Sequence, residues 1–166
     1  AEIRRSRSAH ASIVRVHASH GYAIERLPAL LHAHAQAEIA LRYVGSVEAL
    51  ASLARGTCDL AGFHVPIGAL AAPFWEQYAR WIRPRQQRVI RMVRRRQGLI
   101  VASGNPLRIR SLDDLARPRI RFVNRQAGSG TRVLFDTLLD ARGIAPRAIR
   151  GYDTAEITHA AVATAV

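Results

Sequence analysis

The sequence predicts an α/β protein whose strands lie in parallel sheets covered by helices, arranged as two halves. Three observations carry this expectation. Strand-type alternation and helix-type apolar spacing follow one another through residues 12–65, giving β-α-β-α-β in about 55 residues with short loops between. The same alternation resumes at residue 119 and runs to the end of the chain. At 49 % hydrophobic residues, the 166-residue chain is rich enough in apolar side chains to bury a real core.

The elements are predicted in order as follows. Residues 1–11, "AEIRRSRSAHA", are polar, basic and aperiodic, and read as a linker or tail. "SIVRVH" (12–17) alternates as a strand, and "ASHG" (18–21) turns the chain into a helix over 22–35 with Ile24, Leu27, Leu30 and Leu31 at helical spacing. Pro28 falls near the first turns, where proline is tolerated. "EIALRYV" (38–44) is a strand. "GS" (45–46) is a turn with Ser46 as candidate N-cap of a helix over 47–56, and Gly56 suits the position after a helix end. "TCDLAGFHV" (57–65) is a strand. A short helix is expected around 73–82, its aromatic stripe Phe74, Tyr78 and Trp81 read as packing. "RVIRMVRR" (88–95) and "GLIVAS" (98–103) are predicted as two strands joining the halves, the second broken by "GNP" (104–106). Ser111 and Asp114 form a capping-box pattern at the start of "SLDDLA". A strand over 119–124, a loop over 125–130, a helix over 129–141 stopped by Gly143, a strand over 147–153 and a helix over 155–166 complete the second half.

Charge and composition exclude several functions. The net charge is +13, and all 25 basic residues are arginine. They are spread along the chain, and the densest run, 83–98, interleaves Arg88, Arg91 and Arg94 with Val89, Ile90, Met92 and Val93. That pattern reads as a strand with a solvated arginine edge, with a nucleic-acid or partner patch as the alternative. A single cysteine, Cys58, excludes an internal disulfide and a multi-cysteine metal site, and its apolar surroundings suit burial. No apolar run approaches the roughly 18 residues of a membrane helix, and no apolar region follows the N-terminal arginines as in a signal peptide. There are no paired carboxylates, no metal-ligand spacing and no nucleophile–base pair, so neither a catalytic nor a metal site is expected. "HAHA" (32–35) lies in a helix pattern, where alternate residues do not share a face.

The chemistry-bearing stretch is "RQAGSGTR" (125–132), between a strand and a helix. A phosphate-binding P-loop requires a lysine that this chain lacks. The dinucleotide fingerprint requires a third glycine where Val133 stands, and a nucleophile elbow requires glycines where Ala127 and Thr131 stand. What remains is an anion nest. Gly128 and Gly130 let successive N–H groups point into one concavity, the following helix adds its free N–H groups, Ser129 and Thr131 add hydroxyls, and Arg125 and Arg132 flank the loop. An ordinary glycine turn with Ser129 as N-cap is the alternative. "SHG" before the first helix and "GS" before the second repeat the design, and ligands on parallel sheets bind outside the carboxyl ends of the strands. Ser19, His20, Gly45, Ser46 and His64 are therefore expected to face the same region.

The stretches "YVGSVEALASLARGTCDLAGFHV", "RRRQGLIVASGNP", "DDLARPRIRFVNRQAGSGTRVLFDTLLDARGI" and "IRGYDTAEITHAAVATAV" resemble the substrate-binding-protein-like domain of bacterial helix-turn-helix regulators of the molybdate-responsive or LysR-like kind. The resemblance covers about 12–166, is most specific over 98–132 and is poor over 66–87. It implies a type II periplasmic-binding-protein fold: a linker or tail 1–11, a first lobe with crossover strands over 12–102, and a second lobe over 103–166 that is incomplete at its C-terminal end. It implies a cytoplasmic ligand sensor, not an enzyme, with molybdate or tungstate held between the lobes, no further cofactor, no membrane partner, a homodimer, and DNA contacted only through a helix-turn-helix domain outside this chain. Matched by motif, the ligand-binding residues implied are Ser19, Ser46, Arg125, Gly128, Ser129, Gly130, Thr131 and Tyr152. His20 and His64, isolated at strand ends, read as satisfied surface or core residues. An exported solute-binding component of an oxyanion transporter, and a sensor of an organic anion or pterin-like cofactor, are the alternatives.

Overall fold

A computed structural model describes residues 13–35 and 37–166. The expected linker or tail, 1–11, lies outside the described residues. The first sheet holds β1 (Ile13–Ala18), β2 (Glu38–Tyr43) and β3 (Leu60–Ala61) in the order β2-β1-β3, all parallel. β1 and β2 pair over their full length, from Ile13 opposite Glu38 to Ala18 opposite Tyr43. The connections are α1 (Tyr22–Ala35) and α2 (Ser46–Ala54), and α3 (Ala71–Ala79) follows β3. The second sheet pairs β4 (Asn124–Arg125) with β5 (Ala155–Glu156), again parallel, connected through α4 (Gly130–Asp140) and followed by α5 (His159–Thr164). The α/β class with parallel strands is thus observed.

Each sheet has its own core. Leu50 of α2 and Phe74 and Tyr78 of α3 are buried together, with Phe63 set edge-on to Tyr78 at 5.5 Å between ring centroids. The aromatic stripe is packing, as its helical spacing predicts. Leu115, Ile120, Phe135, Leu139 and Ile149 form the second core, in which Phe122 stacks on Phe135 at 4.8 Å. Burying each such side chain stabilises the fold by about 1.5–3 kcal/mol. α4 serves both cores. Its Val133 and Leu134 pack against the first, and its Phe135 and Leu139 lie in the second. Cys58 is buried, its thiol 3.9 Å from the Ala49 carbonyl oxygen.

Local differences from the expected elements have identifiable causes. The stretches 88–95 and 98–103 are not strands; they join no ladder, and the second ends in a turn at 103. Their alternation supplies an apolar face, but no described strand lies beside them to accept their hydrogen bonds, and Ile90 is left 83 % exposed. Residues 147–153 are not a strand either. Pro146 opens a 3-10 turn over Pro146–Ala148, a turn continues to Asp153, and the ladder forms two residues further on. The helix expected from 155 starts only at His159, because Ala155–Glu156 are taken by pairing with β4 and Thr158 caps the helix, its Oγ1 accepting from Ala161 N at 3.0 Å. "SLDDLA" forms a 3-10 turn, with the Asp114 carboxylate accepting from the Ser111 and Arg110 N–H groups. Pro28 sits inside α1, beyond the first turn. Among the described residues, no helix is long and apolar enough to cross a membrane.

Candidate functional site

Because β1, β2 and β3 are parallel, their carboxyl ends share one edge, and the segments leaving it carry Ser19 and His20, Gly45 and Ser46, and Gly62 to His64. The corresponding edge of the second sheet carries Arg125 and the loop to Ser129, and Ile157 to His159. The two edges meet. Gly45 lies so close to Gly128 that a Cβ there would run into the Gly128 carbonyl, and a Cβ on Gly130 would stand 2.5 Å from His64 Nδ1. Glycine at 45 and 130 is therefore required by close approach. Gly128 adds a left-handed φ of 77°.

On the first side, Ser46 is completely buried, with its Oγ 3.5 Å from His64 Nδ1. Ser46 is the first residue of α2, and Gly45, not Ser46, occupies the N-cap position. The expected serine cap is corrected here: in its helical position the hydroxyl makes no cap bond. Tyr78 Oη donates to the His64 carbonyl oxygen at 3.1 Å and fixes that segment. Burial lowers the His64 pKa to about 4, helped by the guanidinium charges of Arg95 and Arg125 and by repulsion from His159 when that ring is also protonated, so the ring is neutral at physiological pH. Ser19 is buried, and its Oγ has no partner among the described residues. His20 lies tilted against Tyr43, with 5.1 Å between ring centroids, and places Nε2 2.5 Å from a Glu25 carboxylate oxygen, while its Nδ1 is buried and unpartnered among the described residues.

On the second side, Ser129 is the N-cap of α4, its buried Oγ accepting from Arg132 N at 3.2 Å. Thr131 Oγ1 donates to Gln97 Oε1 at 3.2 Å and accepts from Arg95 Nη2 at 3.4 Å. Arg125 is only 4 % exposed. Its Nε and Nη2 donate to the carbonyl oxygens of Glu156 and Ile157 at 3.2 and 2.6 Å, while Nη1 is buried with no partner. A buried guanidinium with one fork unmet is costly unless an acceptor completes it. His159 also has its pKa lowered to about 4, by burial and then by Arg125, Arg95 and His20.

Tyr152 and Arg132 are committed elsewhere. Tyr152 Oη donates to Asp136 Oδ1 at 2.7 Å, the Arg132 guanidinium lies 4.1 Å from the Tyr152 ring centroid, and Arg132 Nε donates to Asp136 at 3.0 Å. These contacts engage Tyr152 Oη and Arg132 Nε with Asp136. Residues missed from sequence are His159 and Arg95. His159 follows the carboxyl end of β5 as Ser19 follows β1, a signal hidden by reading 155–166 as one helix. A groove of about 790 Å³ adjoins the site, with Arg125, Thr131 and His159 in its wall and Leu99, Ile120 and Phe122 on its apolar side. Ser46 and Ser129 are not part of that wall. Among the described residues, no group of three or more His, Cys, Asp or Glu side chains could hold a metal ion.

Comparison with known proteins shows the family of the chain. The family profile described as the PBP superfamily domain matches residues 28–166, which takes in both sheets except β1 and the start of α1. The chain belongs to the PBP superfamily. PBP domains bind ligands, so the substrate-binding-protein-like expectation stands at this level. Uncharacterized protein YvgK of Bacillus subtilis (strain 168) is 35 % identical over 128 residues, 75 % of this chain and 41 % of the relative. The chain thus spans less than half the length of that relative. No solved structure matches the chain.

Proposed function

We propose that this PBP domain is the ligand-sensing part of a bacterial transcriptional regulator, holding a small oxyanion, molybdate or tungstate, between two lobes of the type II periplasmic-binding-protein kind. The carrying observation is the meeting of two helix N-termini at Gly45–Ser46 and Gly128–Ser129, with both serines buried and with the unpartnered Ser19 Oγ and Arg125 Nη1 at the carboxyl ends of β1 and β4. Helix N-termini and hydroxyls supply neutral N–H and O–H donors, the chemistry a fully ionised tetrahedral oxyanion requires. Each hydrogen bond to such an anion contributes about 1.5–3 kcal/mol. The domain binds its ligand and makes or breaks no bond. In this reading the protein is cytoplasmic and acts as a homodimer. Ligand closure of the lobes alters how a helix-turn-helix domain outside this chain meets DNA.

A second reading, a sensor of an organic anion or pterin-like cofactor, is favoured by the groove beside Arg125. Its volume of about 790 Å³ far exceeds a tetrahedral oxyanion, and its wall of Leu99, Ile120 and Phe122 suits a flat apolar body with an anionic group at Arg125. Calorimetric titration with molybdate, tungstate, sulfate and phosphate tests both. Selective binding of molybdate and tungstate, lost in the Ser46→Ala, Ser129→Ala double variant, supports the first reading. Binding of none of the four removes it and leaves the organic anion.

A further inference from the structure

Four nitrogen-bearing side chains converge where the two sheet edges meet: His64 from the segment after β3, Arg95 from the extended stretch before the second half, Arg125 from the end of β4 and His159 from the start of α5. His159, Arg125 and Thr131 line one groove, Arg95 Nη2 lies 3.4 Å from Thr131 Oγ1, and His64 lies against Gly130, the residue before Thr131. His64 Nδ1 is already aimed at the Ser46 hydroxyl and backed by Gly130 at the start of α4. Of the acidic groups around the junction, Glu25 pairs with His20 and Asp136 with Arg132 and Tyr152, while Glu156, opposite Arg125 in the β4–β5 ladder, makes no ion pair among the described residues and is not among the groups that shift either ring. The groups acting on the two imidazoles are therefore cationic or hydroxylic, with Tyr78 touching His64 only at its backbone carbonyl.

We propose that anion binding between the two sheet edges takes up protons at His64 and His159, so that the bound ligand is held by imidazolium groups that are neutral in the free protein. This deepens the anion-sensing reading and rests on it. In the free protein, burial and the two guanidinium charges oppose protonation of either ring. A dianion placed among them reverses the sign of the local field. It offsets Arg95 and Arg125, offers acceptor oxygens to N–H groups, and makes the charged form of each ring the favoured one. Linkage then requires tighter anion binding at lower pH, in proportion to the protons taken up. A sensor built this way responds to acidification and to its ligand together.

The test is calorimetric titration of the full chain with molybdate, which stays a dianion over the range used, at roughly pH 6 and pH 8, in buffers of differing ionisation enthalpy. The expected result is about tenfold tighter binding at the lower pH, with net proton uptake read from the buffer dependence. His64→Gln and His159→Gln are each expected to flatten the pH dependence while binding at the higher pH persists. His32→Gln, at an exposed position on α1, is expected to leave it unchanged. The proton count on the unsubstituted protein stands even if a variant fails to fold. Binding of equal strength at both pH values with no proton uptake overturns the proposal and leaves the anion reading intact. Absence of binding at either pH overturns both.

Discussion

Gly45 and Gly128 stand backbone to backbone, each at the turn that leads into a helix, and a Cβ at residue 45 would collide with the Gly128 carbonyl. Together with the approach of His64 to Gly130, this contact joins the carboxyl edges of the two sheets. It sets the spacing between Ser46 and Ser129, and with it the size of anything held between them.

Gly45→Ala is expected to force the two turns apart. The backbone at residue 45 has φ −70° and ψ 163°, open to alanine, so the cost is steric and falls on the junction alone. Thermal unfolding should show a loss of about 1–3 kcal/mol, and anion binding should weaken with it. Gly21→Ala, where a Cβ meets nothing within 4 Å, serves as the neutral comparison. Equal behaviour of the two variants would show that the junction does not carry the site.

Ser129→Ala removes the side-chain acceptor for Arg132 N and should cost about 1 kcal/mol, the usual loss for a helix cap. Ser46→Ala removes no cap bond, so its effect on unfolding should be smaller while its effect on anion binding is comparable. Chemical denaturation and calorimetry on the same pair of variants separate the two roles. If Ser46→Ala matches Ser129→Ala in stability yet leaves binding intact, Ser46 is a packing residue.

The first half of the fold was legible where its signals are local, although the strand expected over 57–65 pairs only at Leu60–Ala61. The alternation in 12–17 became β1 at Ile13–Ala18, and the apolar spacing in 22–35 became α1 with the same limits. The failures are nonlocal. A strand pattern over 88–95 states that one face could be buried, and says nothing of whether an unpaired strand edge is at hand to receive it. Likewise Arg95 sits in a run of three arginines that reads as a solvated edge, and only the fold carries it to Thr131 and toward His64. The serine positions were found because a strand end followed by a small hydroxyl residue and a helix start is a pattern within a few residues. Which strand ends meet is decided by topology.

Tyr152→Phe distinguishes a ligand contact from an internal network. The Tyr152 hydroxyl donates to Asp136, which also receives Arg132, and the Arg132 guanidinium covers the Tyr152 ring. Loss of the hydroxyl should destabilise the fold by about 0.5–1.5 kcal/mol and leave anion affinity unchanged. A clear drop in affinity with no change in unfolding would return Tyr152 to the site.

Stability should fall on mild acidification, with a sign that follows from the two cleft histidines. Both have folded pKa values near 4, below the ordinary 6.5, so the unfolded chain takes up protons first as pH falls. Their neutral burial is fully tolerated above about pH 6.5 and becomes progressively destabilising as pH falls toward 4. Asp59, held at about 2 by hydrogen bonds from Arg15, contributes in the opposite range: its share is present above the ordinary 3.8 and is lost only as pH falls toward 2. The two windows do not overlap, so thermal melts across pH 4 to 7 report the two histidines. His64→Gln should flatten that slope in the free protein, since a neutral amide replaces a ring that acidification would charge. Saturating molybdate should flatten it as well, because a bound dianion turns histidine protonation from a cost into a gain. A slope that steepens with the anion present would mean that the ligand sits away from these rings.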